Sequence, residues 1–111
     1  CHSRGGGNPI RRFRPPQPTV PWRGVRDCTA DGHLSPQNIF PIIPEESGSL
    51  AQGGQGEDCL VLNLWTPALD NRKRPVMVWF HGGGYAVGGG SAPWYDGTNF
   101  AARHDVVAVT V

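Results

Sequence analysis

Val76-Met77-Val78-Trp79-Phe80 runs directly into His81-Gly82-Gly83-Gly84-Tyr85. The first five residues are apolar, and Val76, Val78, Trp79 and Phe80 are β-branched or aromatic. That composition reads as a strand buried on both faces. Three successive glycines at its exit read as backbone brought close to something. Without Cβ atoms, neighbouring amide N–H groups can converge on a concave site. Two such donors can hold the charge that develops on a carbonyl oxygen during acyl transfer.

The segments around this stretch complete an α/β pattern. Asp58–Trp65 reads as a strand with Leu60, Leu62 and Leu64 on one face and Val61, Asn63 and Trp65 on the other. Pro67 ends it. The polar connector up to Pro75 turns at Asp70-Asn71, which predicts antiparallel pairing of this strand with Val76–Phe80. A glycine-rich loop over 82–92 follows, then Asp96-Gly97 and a short helix near Asn99–Arg103. Val106–Val111 is a third strand, apolar on both faces. Strand, loop with helix, and buried strand predict a right-handed parallel crossover.

Upstream, the chain is irregular. Residues 1–9 are Gly-rich and read as disordered. Pro15, Pro16, Pro18 and Pro21 forbid helix and make residues 10–27 an extended arm, with Trp22 as its anchor in an apolar groove. Residues 28–57 carry turn signals throughout, including Asp31-Gly32, Ser35-Pro36 and Gly53-Gly54. They predict a long surface loop with at most a short turn near Asn38–Ile43.

Charge is divided along the 111 residues. Residues 1–26 hold six arginines and no acid, whereas residues 27–111 hold four basic and nine acidic residues, a balance of −5. Arg11, Arg12, Phe13 and Arg14 invite comparison with a nucleic-acid contact. The flanking prolines favour a structural arm, and no nucleic-acid partner is expected. No apolar run approaches the ~20 residues of a membrane span. Cys1, Cys28 and Cys59 lack zinc-knuckle or Cys-x-x-Cys spacing, and His2, His33 and His104 show no ligand spacing, so no metal site is expected.

Four motifs together carry a family resemblance. They are Arg12-Phe13-Arg14-Pro15-Pro16-Gln17-Pro18 with Pro21-Trp22-Arg23-Gly24-Val25-Arg26-Asp27, Glu57-Asp58-Cys59-Leu60-Val61-Leu62-Asn63-Leu64, Phe80-His81-Gly82-Gly83-Gly84-Tyr85, and Asp105-Val106-Val107-Ala108-Val109-Thr110. In this order they resemble the signatures of the type-B carboxylesterases, from Ile10 to Val111. The glycine run after an apolar strand is the known oxyanion-hole element of lipases and esterases, so its role is recognised from the resemblance.

The resemblance implies the N-terminal part of an α/β-hydrolase fold, incomplete here, whose central sheet is mixed and mostly parallel. Residues 10–111 would be the N-terminal portion of a type-B carboxylesterase domain, stopping before the nucleophile elbow. The start at Cys1 and the stop at Val111 inside a strand pattern agree with a segment of a larger hydrolase. The implied parent is a serine hydrolase that cleaves small-molecule carboxylic esters through an acyl-enzyme, with no metal or organic cofactor. The alternative is a relative that has lost the serine and works as an adhesion or binding module.

By resemblance the oxyanion donors are the N–H groups of Gly83 and Gly84, with His81 and Gly82 supporting the loop. Such enzymes order their triad Ser, acid, His, so the base would follow Val111 and His81 is a brace. No Gly-x-Ser-x-Gly occurs, and Ser91, before Ala92-Pro93, lacks the strand-turn-helix context. Nucleophile, acid and base are therefore not in this chain, and it is expected to be inactive alone. Nucleotide loops fail on the letters: Gly89 follows Gly88 where a P-loop needs lysine, and Val87 stands where Gly-x-Gly-x-x-Gly needs glycine.

Two further contacts are implied by resemblance. Arg12 would pair with Glu57, tying the arm to the first strand. Many members bridge the cysteine of Glu-Asp-Cys to one that precedes Pro-Gln or Gln-Gln, but Ser35 occupies that place here, ahead of Pro36-Gln37. Cys28 and Cys59 are expected as thiols, a bridge between them being the alternative.

Overall fold

The computed structural model describes residues 13–18, 21–38 and 54–111. The Gly-rich start, residues 39–43 of the turn expected near Asn38–Ile43, and Arg12 lie outside these residues, and with Arg12 the expected pair with Glu57. Strands β1 (Asn63–Trp65), β2 (Val76–Trp79) and β3 (Val107–Thr110) form one mixed sheet in the order β1-β3-β2. Helix α1 (Thr98–His104) packs on β3, after a 3₁₀ turn at Pro93–Tyr95.

β3 is central. It runs parallel to β2, with Val76 opposite Val107 and Trp79 opposite Thr110. It runs antiparallel to β1, with Asn63 opposite Thr110 and Trp65 opposite Ala108. The parallel crossover expected between the second and third strands is present, and α1 lies within it. The sheet divides evenly between one parallel and one antiparallel pair rather than being mostly parallel.

The expected antiparallel pairing of the first strand with the second is not formed. Thr66–Pro75 is longer than the about 2–5 residues of a tight hairpin turn, and β3 takes the place between the two strands. Its small residues suit that place: Ala108 and Thr110 are buried, as are Ala92 and Ala101 beside them in the crossover. The first strand is also shorter than expected. Val61 N–H donates to the Cys59 carbonyl at 2.9 Å, a three-residue turn that interrupts the ladder. The alternation still holds, with Leu60, Leu62 and Leu64 exposed and Val61, Asn63 and Trp65 half-buried.

β2 departs most from expectation. It is an edge strand, and Val76, Trp79 and Phe80 are 61%, 50% and 72% exposed. Tyr95 meets one side of Trp79, ring centroids 5.5 Å apart. Trp22 likewise sits in no groove: it is half exposed, with the Arg26 guanidinium 4.9 Å over its ring. Segment 28–57 is more than surface loop. Leu34 and Gln55 form a parallel bridge, Leu34 N–H donating to the Gly54 carbonyl and Gly56 N–H to the Leu34 carbonyl, each at 2.9 Å. The Leu34 side chain is buried.

An ion-pair group fixes the other end of the sheet. Asp105 caps the C-terminal end of α1 with a left-handed φ of 52°. A carboxylate there opposes the helix dipole, and two arginines offset it. Arg74 Nε donates to Asp105 at 2.8 Å and Arg72 Nη2 donates to it at 2.7 Å. The Arg74 fork also grips Asp70, one arm at 2.9 Å. The Arg74 side chain is only 6% exposed, so β2 begins from an anchored residue. Val107 N–H then donates to the Pro75 carbonyl at 2.9 Å and starts the β2–β3 ladder.

Two predictions follow from this arrangement. The small buried core and exposed β2 predict that the isolated chain melts with low cooperativity and tends to aggregate; a sharp two-state transition in a monomer contradicts this. The hydrogen bonds from Arg74 bring the Asp70 carboxyl down to about 2. Its stabilisation is complete above the ordinary value of ~3.9 and is lost as pH falls through the lowered one. Carbon-13 titration should find Asp70 near 2 in the wild type and back towards ~3.9 in Arg74→Met; an ordinary wild-type value contradicts the pairing.

Candidate oxyanion site

Chain reversal after β2 is compressed into three residues. Gly83, Gly84 and Tyr85 have φ of 121°, 61° and 60°. This region of backbone space favours glycine. At Gly83 the requirement is also steric: a Cβ would stand 1.9 Å from the Val87 carbonyl oxygen. That carbonyl is close because the turn is closed by Ala86 and Val87 N–H groups, which donate to the Gly83 carbonyl at 3.1 and 3.2 Å. At Gly84 nothing lies within 4 Å of a Cβ, so only φ selects glycine. Both glycines are exposed, and no acceptor among the described residues takes either N–H.

His81 lies at the foot of this turn. Its Nδ1 is 2.6 Å from the Gly82 carbonyl oxygen. A carbonyl only accepts, so Nδ1 carries the hydrogen. The ring also rests against the returning stem, where a Cβ on Gly88 would fall 2.6 Å from Nδ1. His81 therefore contacts both sides of the loop, Gly82 on the outgoing stem and Gly88 on the returning one.

Gly88-Gly89-Gly90 is the returning stem, and its glycines sit at close approaches. Gly89 is buried with Leu34 Cδ2 only 2.1 Å from where its Cβ would be. The Gly90 carbonyl accepts from Thr110 Oγ1 at 2.7 Å, and Asn63 Nδ2 donates to the same hydroxyl at 3.2 Å. Buried Thr110 thus joins β1, β3 and the loop in one chain of satisfied polar groups. Gln37 grips Gly88 from the opposite side: Nε2 donates to the Gly88 carbonyl at 2.9 Å, and Gly88 N–H donates to Oε1 at 2.7 Å.

A cavity of about 90 Å³ adjoins the stem, lined among others by His33, Leu34, Cys59, His81 and Thr110. It is well below the roughly 300–1,000 Å³ of ligand pockets, and neither Gly83 nor Gly84 lines it. Cys28 and Cys59 are thiols. Ser91 lies in a turn ahead of the 3₁₀ segment, away from any strand-to-helix elbow. Among the described residues, no three His, Cys, Asp or Glu side chains gather as metal ligands, and no helix is long and apolar enough to cross a membrane.

Comparison with known proteins decides the family. A profile of the Carboxylesterase family matches residues 8–111. The chain belongs to the carboxylesterase family. It is 45% identical over 103 residues to a phenmedipham hydrolase of Pseudarthrobacter oxydans, covering 90% of this chain and 20% of that protein. It is 41% identical over 103 residues to a para-nitrobenzyl esterase of Bacillus subtilis, again covering 90% and 20%. Among solved structures, the Geobacillus stearothermophilus carboxylesterase EST55 at pH 6.2 superposes with a TM-score of 0.75 and 46% identity, covering 91% of this chain and 19% of that one. This carboxylesterase-family chain therefore spans about a fifth of the length of these relatives. Its three-stranded mixed sheet with one packed helix is an incomplete α/β arrangement similar to part of their fold.

Proposed function

We propose that the protein carrying this chain hydrolyses small-molecule carboxylic esters, and that residues 10–111 are the N-terminal portion of its type-B carboxylesterase domain. In this reading the chain supplies the oxyanion loop. The observation that carries it is the pair of exposed N–H groups at Gly83 and Gly84, left without an acceptor in a turn whose backbone excludes a side chain at Gly83. Relatives that include the para-nitrobenzyl esterase of Bacillus subtilis and a liver carboxylesterase of Sus scrofa support the same reaction class.

The chemistry assigns different parts of the protein to different steps. A serine supplied from outside residues 1–111 attacks the ester carbonyl. The carbonyl oxygen becomes an anion and draws on the two glycine N–H donors. A histidine, also outside this chain, takes the serine proton and passes it to the leaving alcohol, and water releases the acid from the acyl-enzyme. His81 holds the loop through the Gly82 carbonyl and transfers no proton. The donors gain most as charge develops, so they lower the barrier more than they tighten substrate binding.

The test is Gly84→Val in the full-length protein. A β-branched residue is strained at φ 61°, so the N–H is tilted away. For a simple aryl ester, kcat should fall by about 10²–10³, the usual loss for one oxyanion donor, with KM changing less. Near-normal kcat in a variant with native circular dichroism would reduce the glycines to a turn. Gly89→Ala is unsuitable as a mild control, because its methyl group would press on buried Leu34.

A further inference from the structure

We propose that Gln37 is a positioning residue for the oxyanion loop, its side-chain amide holding Gly88 in register so that the preceding turn presents Gly83 and Gly84. The inference rests on the reading of those glycines as oxyanion donors. It concerns a residue 51 positions away from Gly88 in sequence, on a segment that carries none of the donors.

Three hydrogen bonds hold the amide. Oε1 accepts the Gly88 N–H at 2.7 Å. Nε2 donates to the Gly88 carbonyl at 2.9 Å and to the Ser35 carbonyl at 3.2 Å. Two carbonyls on one side and an N–H on the other allow only one orientation of the amide. Paired donation and acceptance with one residue is what a neighbouring strand would offer, so Gln37 acts as one rung of sheet for a loop that has none. The residue is itself held, since its backbone N–H donates to Gln55 Oε1 at 2.9 Å. Gln55 belongs to the bridge that includes buried Leu34, and Leu34 rests on Gly89.

Transmission to the donors is short. The His81 ring fills the space between Gly82 and Gly88. A displacement of Gly88 therefore releases the ring that fixes Gly82, immediately before Gly83. Oxyanion stabilisation is steep in geometry: a shift of about 1 Å costs on the order of a hundredfold in rate. Binding of the ground-state ester depends far less on those two N–H groups.

The experiment compares Gln37→Ala, Gln37→Glu and Gly84→Val in the full-length protein with one aryl ester, with circular dichroism as the check on folding. Gln37→Ala should lower kcat roughly ten- to a hundredfold with little change in KM. Gln37→Glu carries the sharper readout. A protonated glutamate still donates to a carbonyl and accepts from Gly88 N–H, whereas a glutamate anion faces two carbonyl oxygens with no hydrogen. Its neutral form is favoured, which raises its pKa. The ratio of its kcat to that of the wild type should be near one at about pH 5 and fall as pH rises to about 8. His33, Cys59 and His81, which line the adjoining cavity, are present in both proteins, so the two are compared as a ratio at each pH.

If Gly84→Val is slow while the Gln37 variants keep normal kcat, or the glutamate ratio does not change with pH, the positioning role is overturned and the oxyanion reading stands. If Gly84→Val is itself normal, the reading fails and the role of Gln37 fails with it. Should Gln37→Ala not fold, the glutamate variant followed across pH in one folded sample decides alone.

Discussion

The loop between β2 and β3 depends on the absence of a side chain at Gly83. With φ at 121° and the Val87 carbonyl oxygen 1.9 Å from the position a Cβ would take, the chain can reverse there only as glycine. That reversal brings Gly88 back against the His81 ring and Gly90 back to Thr110. The rest of the crossover then lays α1 on β3, and β3 enters the sheet parallel to β2. A side chain at this point would collide with the Val87 carbonyl and force the turn to shift.

The turn is held by hydrogen bonds to backbone groups rather than by ion pairs. His81, Gln37 and Thr110 each fasten one part of it through a carbonyl or an N–H. Each such bond contributes only about 0.5–1.5 kcal/mol net, while loss of one oxyanion donor costs about 2.7–4 kcal/mol in the transition state. On the proposed reading, the weaker bonds fix where the stronger interaction would form. Charge is used at the opposite end of the sheet. There Arg72 and Arg74 offset the Asp105 carboxylate at the end of α1, and Arg74 also joins Asp70. No buried side-chain polar atom among the described residues lacks a hydrogen-bond partner, so the anchors add no desolvation penalty of that kind.

Local features of this fold were legible in the letters. The apolar run before the glycines, the helix near Asn99–Arg103 and the strand near Val106–Val111 all appear where periodicity and turn residues place them. The Leu60/Leu62/Leu64 alternation survives even where the ladder does not. The parallel pairing of β2 with β3 was legible, but the place of β1 was not, because the connector Thr66–Pro75 says nothing about β3, which inserts from far along the chain. The β2 run reads as buried from its composition, yet the described residues leave it at the sheet edge. Gln37 was invisible for a similar reason. In sequence it is a polar residue after proline, in a stretch full of turn signals, and only folding brings it to Gly88. Leu34 carried a weak signal as an isolated apolar residue between His33 and Ser35.

The central claim is that two backbone N–H groups receive the developing oxyanion. It is tested most directly by a crystal structure of the full-length protein with a phosphonate ester bound covalently at its nucleophile, a mimic of the tetrahedral intermediate. The account predicts one phosphonyl oxygen about 2.7–3.1 Å from both the Gly83 and the Gly84 nitrogen atoms. A phosphonyl oxygen held by other donors, with both glycine nitrogens beyond water-bridging distance, would contradict it.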